Sequence, residues 1–551
     1  MTNIVYMKRF LLVFLLFAVL ELGAQVAPDK YWIQFTDKKN TPYNIDKPED
    51  FLSERSIQRR LDYDIAVDEY DLPVNPSYLK AVEDAGAVVL NPSKWLNGAT
   101  VEITDNSVLS AVKSLPFVKK TRVLEDEPLK QMMKEKSLSL EKNDGAVESA
   151  VRNHYGYAYN QIAQLNGVEL HDMGYRGEGM IIGVCDGGFT DADNHKVFES
   201  VRSEGRLLCT RDYLYKNGNV FTESVHGTSC WSLMAGNVTE EYVGTAPMAS
   251  YVLCRTEDVN RENVIEEYNW VSAAEFLDSL GVDVISTSLG YIFFDDSKMD
   301  HKYDDLDGET AVITIGSGIA ASRGIMCVVA AGNDGASDFP YISAPADGKK
   351  VMTVGAVGAD GERAYFSSVG PTSDGRVKPD VMALGYGVSV ASLWDSYYDG
   401  SGTSYACPVL AGMAACLWQA NKDRTAAEII ETIKNNASNV SSPDSKYGYG
   451  IPDMMRAFES LSAYENVVGD VKNMISFFPN PSNGKVTVNL NVDCDVSVVI
   501  YDVYGKVLYY NDVCGESVSS LSLVMSSLKN GLYMVNVIGE EGSQTVKFIK
   551  Y

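Results

Sequence analysis

Residues 180–188 read Met180-Ile181-Ile182-Gly183-Val184-Cys185-Asp186-Gly187-Gly188. An unbroken apolar run closed by a carboxylate on a glycine-rich turn is the pattern of a strand buried on both faces. The pattern recurs at Tyr251-Val252-Leu253, Val282-Asp283-Val284-Ile285, Ile325 to Ala330 and Val351 to Val357. Helical stretches separate these runs, so residues from about 151 to 465 are expected to be α/β, a parallel sheet with helices on both faces. Ligand sites in such sheets lie beyond the carboxyl ends of the strands. Asp186 follows the first run and Asn333 follows Cys327 to Ala331, which puts both at that edge.

Outside this region the pattern changes twice. Residues 28–126 suggest a small α+β unit, with a strand at Tyr31–Phe35, helices at Glu54–Leu61, Pro76–Ala85 and Ser107–Leu115, extended structure over Ala87–Ile103, and a last strand at Val118–Leu124. Residues 127–150, rich in Lys and Glu, read as a solvated linker open to proteolysis. From about 470 to 551 the apolar period shortens to two, as in Val486, Val488, Leu490 and Val492, and Val503-Tyr504-Gly505-Lys506 reads as a hairpin turn. That segment is expected to be a small all-β, sandwich-like domain.

The first 24 residues carry Lys8 and Arg9, the apolar run Phe10–Leu20, and small residues before Gln25. The run falls short of the about 20 residues a membrane span needs, so a secretory signal peptide and an exported chain are expected. With 47 basic against 74 acidic residues the formal net charge is −27 over 551 residues. Such a field repels nucleic acid and anionic lipid and excludes them as partners. The nine cysteines cannot all pair within the chain. The seven from Cys185 to Cys416 sit in apolar surroundings and read as buried free thiols, whereas Cys494 and Cys514 are close enough in sequence to pair.

Serine acyl transfer needs a nucleophile, a base, a carboxylate to orient the base, and donors for the oxyanion. Four local signatures supply candidates. Asp186 ends a strand; His226-Gly227-Thr228 opens the apolar stretch Trp231–Ala235; Asn333 ends another strand as Ala330-Ala331-Gly332-Asn333; and Gly402-Thr403-Ser404-Tyr405-Ala406 runs into an apolar helix through Leu417. Ser404 would then sit at a helix N-terminus, where developing negative charge is favoured. Every histidine precedes Ser404 and residue 406 is Ala, so the α/β-hydrolase order and its G-x-S-x-G elbow do not apply. No H-E-x-x-H helix is present.

These signatures, in the order Asp, His, Asn, Ser, resemble the subtilisin-like (subtilase) serine peptidases. Ser286-Thr287-Ser288-Leu289-Gly290 is similar to the family's substrate-binding strand. Phe366-Ser367-Ser368-Val369-Gly370-Pro371 and Lys378-Pro379-Asp380-Val381 are similar to the segment leading to its nucleophile. The resemblance implies a subtilisin-like fold over 151–465 and a catalytic set of Asp186, His226, Ser404 and Asn333. It also implies a substrate cleft lined by Ser288, Leu289, Gly290, Ala330, Ala331 and Gly332, which would pair with an extended peptide. Three positions depart from the family: Gly187 stands where Ser or Thr is usual, Tyr405 where Met is common, and Ser229 where a second His often occurs. No cofactor is required by this chemistry and no metal ligands are assigned. The Asp-rich stretch Asp295–Asp307 is open to two readings, a solvated loop or a structural calcium site.

The resemblance extends to the flanks. The 28–126 unit occupies the place of a subtilase propeptide, a folding template and inhibitor, with its cut expected in 127–150. Phe478-Pro479-Asn480-Pro481-Ser482-Asn483-Gly484, Tyr501 to Lys506 and Gly531-Leu532-Tyr533-Met534-Val535 are similar to a type IX secretion sorting domain. Polypeptide substrates, the chain's own propeptide and an outer-membrane secretion machinery are the partners implied, for a protein released or held at the bacterial cell surface. The rival expectation on the same scaffold is a catalytically inactive secreted binding protein.

Overall fold

The computed structural model describes residues 30–124 and 154–464, and strands between 475 and 550. The expected signal peptide, the 127–150 linker, Cys494 and Cys514 lie outside the described residues. The chain divides into two compact units, one of residues 1–168 with 176–454 and one of 169–175 with 455–551.

In the first unit, β1 (Lys30–Phe35), β2 (Val88–Ser93), β3 (Gly98–Glu102) and β4 (Val118–Val123) form an antiparallel sheet in the order β2-β3-β1-β4. Three helices accompany it: α1 (Glu54–Asp62), α2 (Pro76–Asp84) and α3 (Asn106–Lys113). Each starts where a side chain takes an orphan amide: Ser53 accepts from Ser56, Asn75 from Ser77 and Asp105 from Ser107. The stretch expected to be extended over Ala87–Ile103 is two strands, because Asn97 takes a left-handed φ of 50° and turns the chain back. Gly98 then passes so close to β1 that a Cβ would lie 2.3 Å from Ile33 O.

The central sheet has seven parallel strands: β5 (Ile181–Asp186), β6 (Leu207–Asp212), β7 (Ser250–Arg255), β8 (Val284–Thr287), β9 (Met326–Ala330), β10 (Met352–Val357) and β11 (Val381–Leu384). Their order is β11-β10-β9-β8-β5-β7-β6. From β5 the chain runs to the sheet edge at β6, comes back to place β7 between β6 and β5, then crosses to the other side of β5 for β8 to β11. The carboxyl ends of β5 and β8 therefore flank the switch in strand order, the place where a crevice opens. Two strands escape the sequence reading. β6 is the sheet edge and its residues are mostly exposed or half-buried, so it carries no apolar run, and β11 is only four residues long.

Helices α4 (His226–Ala235), α5 (Ile265–Leu280) and α6 (Val312–Ser322) precede an antiparallel hairpin, β12 (Tyr386–Ala391) with β13 (Tyr397–Ser401). Helix α7 (Thr403–Gln419) follows and is buried over almost its whole length. An all-round apolar helix of this kind belongs in the middle of a large domain. The seven cysteines from Cys185 to Cys416 are free, and all but the half-buried Cys209 are buried.

The second unit holds two antiparallel sheets. One joins β14 (Ile475–Phe478), β15 (Lys485–Leu490) and β18 (Ser520–Val524). The other joins β16 (Val496–Asp502), β17 (Val507–Val513), β19 (Gly531–Gly539) and β20 (Gly542–Lys550), in the order β17-β16-β19-β20. Asp502 N–H donates to Lys506 O where the hairpin turn was expected; residues 503–505 between them lie outside the described residues. No described helix is long and apolar enough to cross a membrane.

Candidate active site

Asp186 ends β5 with only 1% of its surface exposed. Its Oδ1 accepts the Gly187 N–H at 2.8 Å, which holds the carboxylate in place. His226 Nδ1 stands 2.9 Å from Asp186 Oδ1 and 3.0 Å from Oδ2. The imidazole reaches that position because α4 begins there. Ser224 Oγ accepts the His226 N–H at 3.1 Å, and Gly227 N–H donates to Gly188 O at 3.1 Å. A Cβ on Gly227 would lie 2.3 Å from Gly188 O, so the glycine is what lets the helix approach the turn after Asp186.

Burial acts to lower the His226 pKa, but the Asp186 carboxylate, together with Cys230, more than offsets it and holds the imidazole well above its ordinary value. The ring keeps 34% of its side-chain surface exposed. Asp186 therefore fixes the tautomer: Nδ1 carries a proton toward the carboxylate, and Nε2 is left to accept one.

Ser404 is the second residue of α7 and is 8% exposed. The first-turn amides of a helix have no partner within it, so Ser404 sits among donors aimed out of the helix end. Gly402 brings a second group to the same place. A Cβ added there would be 2.8 Å from Ser404 Oγ and 3.8 Å from Asn333 Nδ2, so both atoms border one point. Asn333 is held by its other end, because Oδ1 accepts the Thr403 N–H at 2.8 Å and the Thr403 hydroxyl at 3.0 Å. The Thr403 hydroxyl also accepts the Gly332 N–H at 3.1 Å, with Gly332 at a left-handed φ of 109°.

Pro408 explains a feature the sequence reading missed. In a regular helix residue 408 would donate to Ser404 O, but proline has no N–H. Two donors from outside the helix take its place: Ser288 Oγ at 2.7 Å and Cys230 Sγ at 3.3 Å. Cys230 lies one turn after His226 on α4, with Sγ 3.8 Å from both ring nitrogens. The thiol thus stands between His226 and Ser404. The signal for it was present as a Cys four residues after the His and a Pro four after the Ser, but neither spacing has meaning until the two helices are known to meet.

Ser288, Leu289 and Gly290 follow β8; Ala330 ends β9, with Ala331 and Gly332 after it, so the two expected cleft segments leave neighbouring parallel strands. A Cβ on Gly290 would lie 2.0 Å from Ser343 Oγ, which leaves no room for a side chain. Cys185 and Cys407, beside Asp186 and Ser404 in sequence, are buried; burial pushes the Cys407 thiol up to about 12, and a hydrogen bond to Cys254 together with burial pushes Cys185 up as well. Among the described residues, Asp186, His226 and Cys230 offer metal-donor atoms within 4.8 Å of one another. The direct Asp186–His226 contacts account for that closeness without an ion. In the Asp295–Asp307 stretch the carboxylates cap backbone amides: Asp300 takes Phe294, Asp305 takes Lys302, and Asp307 takes Glu309 and Thr310.

Residues 177–450 match the subtilase family. Over those residues the chain carries a subtilase domain. Ahead of the subtilase domain, residues 30–141 match the peptidase S8 propeptide domain of Bacteroidota, and after it residues 476–551 match a secretion system C-terminal sorting domain. The sorting domain marks the protein as secreted or attached to the cell surface. Its relatives include the serine protease AprX of Bacillus subtilis (strain 168), 31% identical over 50% of this chain and 65% of that protein. Subtilisin NAT of Bacillus subtilis subsp. natto is 28% identical over 59% of this chain and 78% of its own length. Subtilisin of Bacillus pumilus is 28% identical over 54% of this chain and 97% of its own. The chain therefore spans just under two-thirds of AprX and most of the subtilisins.

Proposed function

We propose that this subtilase is a secreted serine endopeptidase in which Asp186, His226 and Ser404 form the catalytic triad. The observation that carries the reading is His226 Nδ1 held by both Asp186 oxygens, at 2.9 and 3.0 Å, with Ser404 at the N-terminus of the neighbouring helix. Ser404 Oγ attacks the scissile carbonyl carbon as its proton passes to His226 Nε2. The oxyanion forms opposite Asn333 Nδ2 and the Ser404 N–H. His226 returns the proton to the amine, the C–N bond breaks, and water hydrolyses the acyl-enzyme by the same route in reverse. These are the roles established for subtilisin itself.

The cleft segments 288–290 and 330–332 would receive the substrate backbone as an added strand, which suits an extended polypeptide. The reaction so written draws on side chains and backbone amides alone. We assign the N-terminal unit as the enzyme's own propeptide and the 127–150 segment as the place of self-cleavage, with the sorting domain as the contact for the secretion machinery. A structural calcium ion at Asp295–Asp307 would add stability and take no part in the chemistry.

The test pairs wild type with Ser404→Ala and follows propeptide release, casein cleavage and labelling by a serine-directed phosphonate together. The expected result is all three in wild type and none in the mutant, since removal of this serine costs subtilisin about 10⁶ in kcat. Comparable cleavage by the mutant overturns the assignment of Ser404. A wild type that is folded but inert in all three assays overturns the peptidase reading in favour of a binding protein.

A further inference from the structure

Residues 53–72 stand apart from the rest of the N-terminal unit. That unit's own core draws on Tyr31, Ile33 and Phe35 and then resumes at Val74. The excursion between them carries α1, and Lys38 Nζ closes its base by donating to Leu72 O at 2.7 Å. Its anchors lie on the peptidase. Arg55 Nε donates to Gly281 O at 2.9 Å, and its Nη2 donates to Gly179 O at 2.9 Å and to Asp283 Oδ2 at 2.5 Å. The same Asp283 oxygen accepts the Ile181 N–H at 2.8 Å, so one guanidinium sits on the carboxylate that joins the start of β5 to the start of β8. Arg323, just ahead of β9, donates to Asp68 at 3.1 Å and to Asp71 at 3.2 Å, and a Cβ on Gly324 would lie 2.9 Å from Ile65. The Tyr63 ring stacks on Trp418 with 6.2 Å between centroids, and its hydroxyl donates to Lys422 O at 3.0 Å, where α7 has ended.

These four elements are the ones that carry the site. β5 ends in Asp186, β8 leads into 288–290, β9 leads into 330–332 and Asn333, and α7 holds Ser404 in its first turn. Residues 53–72 therefore grip each of them from the far end. Along the six residues of β5 that end is about 20 Å from Asp186, at about 3.3 Å per residue, too far to cover the cleft. Parallel strands pair across long crossovers, and closing those loops costs entropy before any contact rewards it. Gly179 and Lys422 lie more than two hundred residues apart in sequence, yet this one segment donates to both.

We propose that residues 53–72 are a folding staple that docks on the amino-end edge of the peptidase sheet and gathers the rear ends of β5, β8, β9 and α7. The staple acts on the rate at which the site assembles, and its docking surface is separate from the contact between the propeptide sheet and α5. The inference rests on the assignment of the N-terminal unit as the propeptide and names the part of it that templates the fold. Once the sheet has closed, the chemistry at its other end has no further need of the staple.

The experiment uses the full chain with Ser404→Ala, so that the propeptide stays attached, and follows refolding and unfolding in guanidine by tryptophan fluorescence. Arg55→Ala and Tyr63→Ala are compared with Asn91→Ala. The last removes hydrogen bonds from β2 to Tyr213 O at 2.8 Å and to Asn269 Oδ1 at 3.0 Å, on the other part of the interface. Each staple variant is expected to refold about tenfold more slowly, with little change in the unfolding rate. Asn91→Ala is expected to unfold faster and to refold as its parent does. Arg55→Lys keeps the charge and should recover part of the rate, which separates the anchor from a general loss of fold. With Ser404 in place, the staple variants that mature should match wild type in kcat/KM per phosphonate-titrated site. Staple variants that only unfold faster overturn the proposal, as does a refolding loss shared by Asn91→Ala or a lower kcat/KM per titrated site. A wild type inert to peptides and to the phosphonate, with refolding as expected, overturns the peptidase reading and leaves the staple standing.

Discussion

Cys230 Sγ lies 3.8 Å from each ring nitrogen of His226, one helical turn further along the same helix. Its S–H is directed elsewhere, to Ser404 O at 3.3 Å, beside the Ser288 hydroxyl at 2.7 Å. Burial pushes the thiol up, so it stays neutral and serves as a donor rather than as a second charge near the imidazole. The carbonyl that carries Ser404 thus depends on two side chains because Pro408 cannot supply the helix bond.

Cys230→Ala and Ser288→Ala should each cost about 1 kcal/mol of stability, and together more than their sum, because the double variant leaves a buried carbonyl without a donor. Urea unfolding checks this. Pro408→Ala restores an N–H to the helix and should recover part of the double variant's loss. No recovery would mean that the two donors matter through packing alone.

Asp186→Asn should lower kcat by about 10⁴, as the corresponding change does in other triads. It should also move the acid limb of the pH profile. Burial lowers the His226 pKa and Asp186 raises it, with the raising effect larger. Activity needs neutral Nε2, so it is lost as pH falls through that raised value. Removing the carboxylate brings the limb to lower pH. A kcat/KM profile whose limb stays in place, or moves up, would show that Asp186 does not set the imidazole's charge.

Asn333→Ala should cost about 10² to 10³ in kcat with little change in KM, the loss recorded for the equivalent amide of subtilisin. Thr403→Val removes one of the two hydrogen bonds that orient the amide and should give a smaller loss of the same kind. Steady-state kinetics on one peptide decides it: a rise in KM alone would place Asn333 in ground-state binding.

The propeptide is held by buried charge. Asp278 on α5 receives Arg59 at 2.6 Å, Arg60 at 2.9 Å and Lys94 at 3.2 Å, and its carboxylate is fully buried. Asp278→Asn leaves Arg59 and Lys94 without their paired carboxylate, while Arg60 keeps Asp71, and costs about 3–5 kcal/mol. Propeptide added to the mature enzyme should then inhibit at least about a hundredfold more weakly. Burial raises the Asp278 pKa, but Lys94, Arg60 and Arg59 lower it further, so its folded value lies below the usual one. The contribution is therefore complete above about pH 4 and is lost only as pH falls through the lowered value. Inhibition by wild-type propeptide that weakens between pH 7 and 5 would contradict this.

Much of this architecture is set locally. The apolar runs ending at Asp186 and Asn333, the glycine turns after them, and the His-Gly-Thr and Gly-Thr-Ser helix starts specify a parallel α/β sheet with four polar groups at one edge. Strand burial and helix capping act over a few residues, so a sequence displays them. What the chain could not display is which surfaces meet. Arg59 and Arg60 look like the solvated face of an exposed helix, yet they are buried against Asp278, more than two hundred residues away. The edge strand β6 carries no apolar signature because one side of it has no neighbour. Cys230, Ser288 and Pro408 have no evident relation in sequence, and they are joined only because α4 and the end of β8 converge on the first turn of α7. Local periodicity determines the elements and the polar ends they expose; the partners of each buried charge and carbonyl follow from long-range packing, which no local pattern encodes.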